Sequence, residues 1–444
     1  MTGTVTPRAP RGSRLRRVLG IPATRGHGRF ITGNLIDSLG NGMLLPLGLL
    51  YFTTVRDLPL AAVGAAVTVG QLAALPVVFV AGRVMDRRGP RRLTVIANVV
   101  SAAGFLSFLL AERPWQIAGA YLLVQSGINS YYTAQRTLIL HAAPAGETRG
   151  WFAFTGSLRN IGIGVGALLA AGALALFGTD ALTWLVVTAA PLYLLAAFCF
   201  ARVPTSPPPQ PVPTSPPPQP VPTSPPPQSA PGEPPREDRA ARARSGAGDM
   251  RRYLLLVTCN IPFVLSQAML SVLIAVYATE TLGLPAWSAS ILLVVNTAMV
   301  STLTSPLTAH AAPGQPRHTM ALGHVLLVCA MLAFAAPALP DADLPAWPAL
   351  VTAIVLFSLA EIFYSPAVSE LSVTLTPGAA RGSRQSLYQL SWSAGNIAAP
   401  ALFTGLLDAH ALLPWTVQGV ACLVALAAIP ALKSPAAQGG RQQT

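Results

Sequence analysis

The sequence is poor in charged residues, lysine and cysteine. Charged residues make up 10% of its 444 residues, whereas soluble domains carry about 25%; this excludes an ordinary soluble domain. Among the 29 basic residues only Lys433 is a lysine. The four cysteines fall in four different apolar segments and show no paired spacing, which argues against a disulfide framework or a zinc site and predicts packing roles. They are Cys199, Cys259, Cys329 and Cys422.

Catalytic and metal-binding patterns are also missing. The six histidines show no metal-like or catalytic spacing, and no cluster of acids, histidines and nucleophiles marks one membrane face. We therefore predict a protein that is not an enzyme and uses no metal or cofactor. The net charge of +13 could indicate nucleic-acid binding. However, the basic residues lie in short segments beside apolar runs and are not interleaved with aromatics, which favours membrane topology over nucleic acid.

What the chain has in abundance is apolar sequence, at 52% hydrophobic residues. Apolar runs of about 20 residues are long enough to cross a bilayer as helices. We predict an all-α polytopic membrane protein with twelve transmembrane helices in two pseudo-symmetric six-helix bundles. The predicted spans lie near 29–54, 60–82, 91–111, 115–140, 151–177, 181–201, 253–279, 286–310, 318–338, 346–375, 383–409 and 412–432.

The spans divide the chain into five parts. These are a basic cytoplasmic tail (1–28), an amino-terminal bundle (29–201), a cytoplasmic linker (202–252), a carboxy-terminal bundle (253–432) and a cytoplasmic tail (433–444). The linker repeats the unit Val-Pro-Thr-Ser-Pro-Pro-Pro-Gln-Pro, which forms neither helix nor sheet. It is either a tolerated spacer or a ligand for a proline-binding partner.

A charged turn of eleven residues, Gly82–Arg92, separates the second and third spans; we call it the island. Its five arginines and one aspartate would be costly inside hydrocarbon, so the island lies at a membrane surface. With both termini placed in the cytoplasm, 25 basic residues lie on the inner side and two, Arg56 and Arg113, on the outer side. This asymmetry predicts a multi-pass protein of the cell membrane with both termini and the island cytoplasmic.

The island reads Gly-x-x-x-Asp-Arg-x-Gly-x-Arg-Arg and resembles the signature of the major facilitator superfamily, most like its drug/proton antiporter branch. The matching residues, to which the resemblance assigns a gating role, are Gly82, Asp86, Arg87, Gly89, Arg91 and Arg92. Pro90 departs from the pattern. Asp86 at a helix end can interact with helix dipoles and basic side chains. If the arginines only anchored topology, Asp86 and the glycines would have no explanation.

Two further signatures of that family match less well. Gly162 and Gly166 keep the spacing of the antiporter signature in the fifth span, with alanines in place of its proline and final glycines. The same pattern arises from generic close packing of helices. Drug antiporters carry an arginine early in the fourth span, where this chain has Leu122.

The two predicted bundles resemble each other in sequence. At a constant offset of 226 residues Asn34 aligns with Asn260, and at an offset of 233 Tyr131 aligns with Tyr364. Many transporters are built from repeated halves around a site at the bilayer midplane. The matches therefore predict an internal duplication with a site between the halves.

Few ionisable residues lie within the spans, and such residues are functional candidates. We expect Asp37, Glu361, Arg136 and Arg159 to take part in proton coupling. A structural Asp–Arg pair that only holds helices together is the alternative. Near the inner end of the tenth span, Glu370 is expected to form a cytoplasmic latch with Arg384.

Polar residues within the spans are candidates for the wall of a central cavity. They are Asn34, Asn41, Gln71, Gln125, Asn129, Tyr131, Asn160, Gln267, Tyr364, Trp392 and Asn396. The resemblance implies a monomer that exports a drug-like compound or metabolite through the lipid bilayer by alternating access, in exchange for protons. Alternatives are a proton-coupled uptake symporter and, more remotely, a membrane-embedded enzyme or a scaffold that uses the proline segment.

Overall fold

A computed structural model describes residues 19–24, 26–44, 47–144, 146–204, 236–285, 287–310, 315–339, 345–376 and 381–432. These ranges are helical and contain no strand. The helices are α1 (Gly28–Leu44), α2 (Leu47–Thr54), α3 (Leu60–Ala73), α4 (Val77–Arg88), α5 (Pro90–Leu110), α6 (Pro114–Ala142), α7 (Thr148–Phe177), α8 (Ala181–Ala201), α9 (Arg236–Val276), α10 (Trp287–His310), α11 (Pro316–Ala335), α12 (Ala346–Thr374), α13 (Arg381–Ala409) and α14 (Leu413–Ala428). The proline repeats and most of both predicted tails lie outside the described residues.

Eight helices in the described ranges are long and apolar enough to cross a membrane. Two of these eight combine shorter elements, since Leu60–Arg88 joins α3 with α4 and Thr148–Ala201 joins α7 with α8. Both α6 and α13 are 29 residues long but carry many polar side chains. The predicted all-helical class is confirmed, and the count of twelve spans stays a prediction.

Two helix boundaries differ from the sequence-based expectation. The second predicted span is broken where α3 ends at Ala73 and α4 begins at Val77. Pro76 lies in this break, and a proline cannot donate the backbone hydrogen bond that a continuous helix requires. In addition, α9 begins at Arg236, well before the predicted start at residue 253, so the end of the linker is helical.

Each half of the chain packs around its own hydrophobic core. One cluster is built entirely from residues between Tyr253 and Leu432, and another from residues between Met43 and Tyr193. Two of the cysteines, Cys259 and Cys422, are buried in the core of the second half, whereas Cys329 is exposed.

The helix contacts of the first half recur in the second half. In the first half α1 packs on α7 and α8, α5 on α6 and α8, and α3 on α6. In the second half α9 packs on α13 and α14, α11 on α12 and α14, and α10 on α12. The halves meet through the same kind of exchange, with α7 against α10 and α12, and α13 against α4 and α6. This repeated scheme is what an internal duplication produces.

Candidate functional site: a central cavity and its closed side

A cavity of about 560 Å³ lies between the halves and is lined by helices from both. Its volume falls in the range of sites for drug-sized ligands. Eight predicted cavity residues line it: Asn41, Gln71, Gln125, Asn129, Asn160, Gln267, Trp392 and Asn396. Of the four predicted coupling residues, Arg136, Arg159 and Glu361 line it as well.

One face of α6 supplies a polar stripe along the cavity. Gln125, Asn129, Tyr132 and Arg136 are spaced by four, three and four residues, so they project from the same face of the helix. Hydrogen bonds fix two of them, since Gln125 Nε2 donates to Asn129 Oδ1 at 3.1 Å and Arg136 donates to the Tyr132 carbonyl at 2.9 Å. The stripe explains the low mean hydropathy of α6.

Three predicted cavity residues lie behind the wall instead, which corrects that assignment. Tyr131 donates a hydrogen bond to Asn34 Oδ1 at 3.0 Å, and Gln135 donates to the same oxygen at 2.7 Å. In the second half Tyr364 donates to the Cys259 carbonyl at 3.2 Å, next to Asn260. These residues are buried. The residues that align between the halves, Asn34 with Asn260 and Tyr131 with Tyr364, therefore serve the packing of α1 on α6 and of α9 on α12.

The cavity wall also contains residues that were not predicted. Tyr388 and Ser393 of α13 line it, together with Ser271, Thr304 and Phe152. Ser393 donates to Asn129 Oδ1 at 2.9 Å and so links the two halves. The sequence carries a signal for Tyr388, because it precedes Trp392 by four residues and Asn396 by eight and so lies on the same helical face.

The acids of the two halves share one arginine. Asp37 is buried beside the cavity and accepts a hydrogen bond from Asn41 Nδ2 at 3.3 Å. Glu361 lines the cavity and accepts one from Asn296 at 3.4 Å. The Arg159 guanidinium interacts electrostatically with both carboxylates, and it lies over the Tyr132 ring at 4.9 Å.

The island forms the end of α4, a tight turn and the start of α5. Gly89 adopts φ +81°, a conformation that favours glycine, and Pro90 occupies the first turn of α5, where its missing N–H costs nothing. About two turns earlier, Gly82 packs directly on the backbone of Gly382 in α13. A side chain at either glycine would push α4 and α13 apart.

Asp86 caps the opposite half. Its carboxylate accepts hydrogen bonds from the backbone N–H of Gly382 at 2.5 Å and of Ser383 at 3.1 Å, and from the Ser383 hydroxyl at 3.2 Å. The two backbone N–H groups belong to the first turn of α13, where they have no acceptor within the helix. A carboxylate at a helix N-terminus is also favoured by the helix dipole, so Asp86 fastens α4 to α13.

The island arginines take different positions. Arg91 donates to the Val203 carbonyl at the end of α8 at 3.2 Å. Arg87 and Arg92 are exposed.

A second fastening is an ion pair between Arg149, at the start of α7, and Glu370, near the end of α12, at 2.6 Å. The predicted latch partner was Arg384, and this assignment is wrong. Arg384 is buried and donates instead to the Leu375 carbonyl at 2.7 Å, within its own half. Glu370 therefore reaches across the interface, as a latch between halves requires.

The sequence profile of the Major Facilitator Superfamily matches residues 30–344. The chain belongs to the Major Facilitator Superfamily. This membership indicates a transporter and not an enzyme. Its helical architecture and the island signature agree with this membership.

Relatives in the superfamily are distant. A multidrug resistance protein MdtG of Enterobacter lignolyticus is 28% identical over 155 residues, which cover 34% of this chain and 36% of the relative. One from Serratia proteamaculans is 28% identical over 185 residues, 40% of this chain and 44% of the relative. These matches span less than half of the relatives' length.

Solved superfamily structures show the same fold. A bacterial homologue of the iron transporter ferroportin in an outward-facing state has a TM-score of 0.70 and 16% identity, covering 92% of this chain and 99% of that one. FucP in the outward conformation has a TM-score of 0.66 and 12% identity, covering 91% and 98%.

In this superfamily member the described polar contacts between the halves extend from the cavity toward the island. Ser386 of α13 donates to the Val78 carbonyl of α4 at 2.8 Å, and Arg136 donates to Gln389 Oε1 at 3.3 Å. With the Asp86 cap and the Arg149–Glu370 pair, they close the cavity on the island side.

Proposed function

We propose that the chain exports a small drug-like compound or metabolite across the cytoplasmic membrane by alternating access, in exchange for protons. The observation that carries the proposal is a cavity lined by both halves and fastened on the island side by contacts that join the halves. The predicted cytoplasmic position of the island makes this an outward-facing state. The twelve-span count, the cytoplasmic termini and a monomeric state belong to the same proposal.

The fastening contacts are suited to a reversible gate. The Asp86 cap and the Arg149–Glu370 pair join charged or dipolar groups at the predicted membrane surface, where water can replace either partner. Opening the island side would therefore break these polar contacts, together with the apolar contact of Val373 with the first half. Such a balance between two states is what alternating access needs.

Coupling to protons would act through Arg159. When both carboxylates are ionised, the Arg159 guanidinium attracts Asp37 in the first half and Glu361 in the second half electrostatically. Protonation of one acid removes the attraction between that acid and Arg159. Arg159 is then attracted only to the acid that stays ionised, which lies in the other half. We propose that this exchange of partners biases the two conformations.

The direction of transport is supported by the relatives' names. The MdtG relatives are multidrug resistance proteins, which favours export. A proton-coupled uptake symporter has the same fold and remains the alternative function.

The test uses everted membrane vesicles from cells that express the full chain, with a panel of drug-like dyes and an imposed proton gradient. We expect gradient-driven dye accumulation, and loss of its gradient dependence in the Asp37→Asn, Glu361→Gln double variant. The matched control is Glu112→Gln, which neutralises an exposed acid away from the cavity. Accumulation that the double variant leaves unchanged would exclude coupling through these acids, and solute accumulation by whole cells would indicate uptake.

A further inference from the structure

The charges that line the cavity are unevenly paired. Among the described lining residues the charged ones are Arg136, Arg159 and Glu361, with Asp37 buried just behind. Arg159 interacts with both acids. Among the described residues neither acid forms an ion pair within 4.0 Å with Arg159 or with Arg136, but the longer-range attraction of both acids acts on Arg159.

Arg136 is held by neutral groups alone. One of its terminal nitrogens donates to the Tyr132 carbonyl and to Gln389 Oε1, at 2.9 and 3.3 Å. Its guanidinium lies 4.3 Å from the centre of the Tyr388 ring. A guanidinium has five N–H donors, so donors remain for a ligand. A cation inside a membrane protein without a counter-ion is costly, and a bound anion would remove that cost.

A second free donor lies two turns away on the same stripe. Asn129 is buried, and its oxygen accepts hydrogen bonds from Gln125 and Ser393. Its Nδ2 has no hydrogen-bond partner. Since a buried donor without a partner is destabilising, the cavity offers Asn129 Nδ2 to a polar group of a ligand.

Aromatic side chains share the cavity wall with Arg136. Tyr132, Tyr388 and Trp392 line the cavity with it, and they come from both halves. Their rings provide apolar surface for the body of a ligand whose charged group meets the guanidinium.

We propose that the cavity recognises an amphipathic organic anion, a carboxylate or sulfonate on an aromatic body, with Arg136 binding the anionic group. Asn129 donates to a polar group on the same ligand, and Tyr132, Tyr388 and Trp392 hold its apolar part. This inference rests on the proposed transport function and names its substrate class. We assign recognition to Arg136 and not to Arg159, because the electrostatic attraction of Asp37 and Glu361 acts on Arg159.

The test measures binding of three probes with the same naphthalene body to the purified full chain in detergent by calorimetry. They are 2-naphthalenesulfonate, the neutral 2-naphthalenesulfonamide and the cationic 2-naphthylmethylammonium. We expect the sulfonate to bind roughly 10- to 100-fold more tightly than the amide, the range for a charge-assisted hydrogen bond. Arg136→Gln should abolish this preference, whereas Arg136→Lys keeps the charge and should retain part of it.

The matched control is Arg113→Gln, which removes an exposed arginine outside the cavity and should leave the preference intact. Thermal unfolding shows whether each variant is folded. If Arg136→Gln does not fold, Arg136→Lys tests the proposal in its place. A sulfonate that binds no better than the amide or the cation, or a preference that survives Arg136→Gln, would overturn the inference. Vesicles that transport only cationic dyes would overturn it too, and would leave the proposed transport function standing.

Discussion

Asp86 makes an informative contact, because its carboxylate in the first half binds Gly382 in the second half, 296 residues later in the sequence. It accepts two backbone N–H groups and one hydroxyl at the start of α13. The neighbouring arginines supply positive charge at the predicted membrane surface, but they could do so without an acid among them. The position of Asp86 therefore explains an island residue that topology alone leaves unexplained.

Replacing Asp86 by asparagine should slow transport and leave insertion intact. Asparagine has nearly the same shape but loses the charge that strengthens the cap, at a cost of about 1–2 kcal/mol in this partly exposed place. This shifts the balance between the two conformations roughly 5- to 30-fold. Initial rates in proteoliposomes, normalised to inserted protein, measure the effect. The control Ser383→Ala removes one of the three hydrogen bonds to the carboxylate and keeps its charge and both backbone donors, so it should change the rate less. Wild-type rates for Asp86→Asn would show that the cap does not gate.

The latch partner of Glu370 shows what the sequence could not predict at this scale. Arg384 lies 14 residues from Glu370 and on the expected side of the membrane, so local reasoning favours it. The actual partner, Arg149, precedes Glu370 by 221 residues and belongs to the other half. Such a pair depends on how the halves dock, which no local pattern contains.

At the scale of elements, α7 shows how small residues act in packing. Gly162 lies against Leu35 and Ser38 of α1, and Gly166 lies against the backbone of Leu39. Gly164, on the other side of α7, has open space around its Cβ position. The two glycines that match the antiporter signature thus hold α1 and α7 together, as generic close packing also would.

Gly166→Ala should destabilise the protein, whereas Gly164→Ala should not. An added methyl at residue 166 meets backbone atoms of α1, which cannot rotate away, and overpacking of this kind costs about 1–3 kcal/mol. At residue 164 alanine meets nothing and has the higher helix propensity. Thermal unfolding in detergent should show a lower midpoint for Gly166→Ala alone. Equal midpoints for the two variants would contradict the packing described for α1 and α7.

The helices were largely predictable, and their exact ends were not. Apolar runs of membrane length located every helical region of the two halves, because length and hydropathy are local properties. The start of α9 at Arg236 was missed, since that stretch is polar and looks like linker. The polar stripe on α6 could be read from its spacing. Sequence position did not show that the side chains of Asn34, Tyr131 and Tyr364 pack between helices and not against the cavity.

At the scale of the whole molecule, two similar halves enclose a polar cavity and touch through polar contacts that reach toward the island. The sequence predicted the halves and the cavity between them, because duplicated segments and polar residues within spans leave local traces. It did not predict which side would be closed. That depends on the small free-energy difference between two dockings of the same halves, which sequence patterns do not report.

The central claim is that the two sides of the cavity open in alternation. Two spin-label pairs test it in lipid nanodiscs, in a chain whose native cysteines are replaced by alanine. One pair, Leu60→Cys with Asp408→Cys, reports on the side away from the island; the other, Arg88→Cys with Thr374→Cys, reports on the island side. All four positions are exposed.

Distances measured by pulsed electron paramagnetic resonance should change in opposite directions. We expect the resting chain to show the island side closed, as in this structure. Adding a transported compound, or introducing Asp86→Asn, should lengthen the Arg88–Thr374 pair and shorten the Leu60–Asp408 pair in the same fraction of molecules. Distances that stay fixed under both treatments, or two pairs that lengthen together, would contradict alternating access.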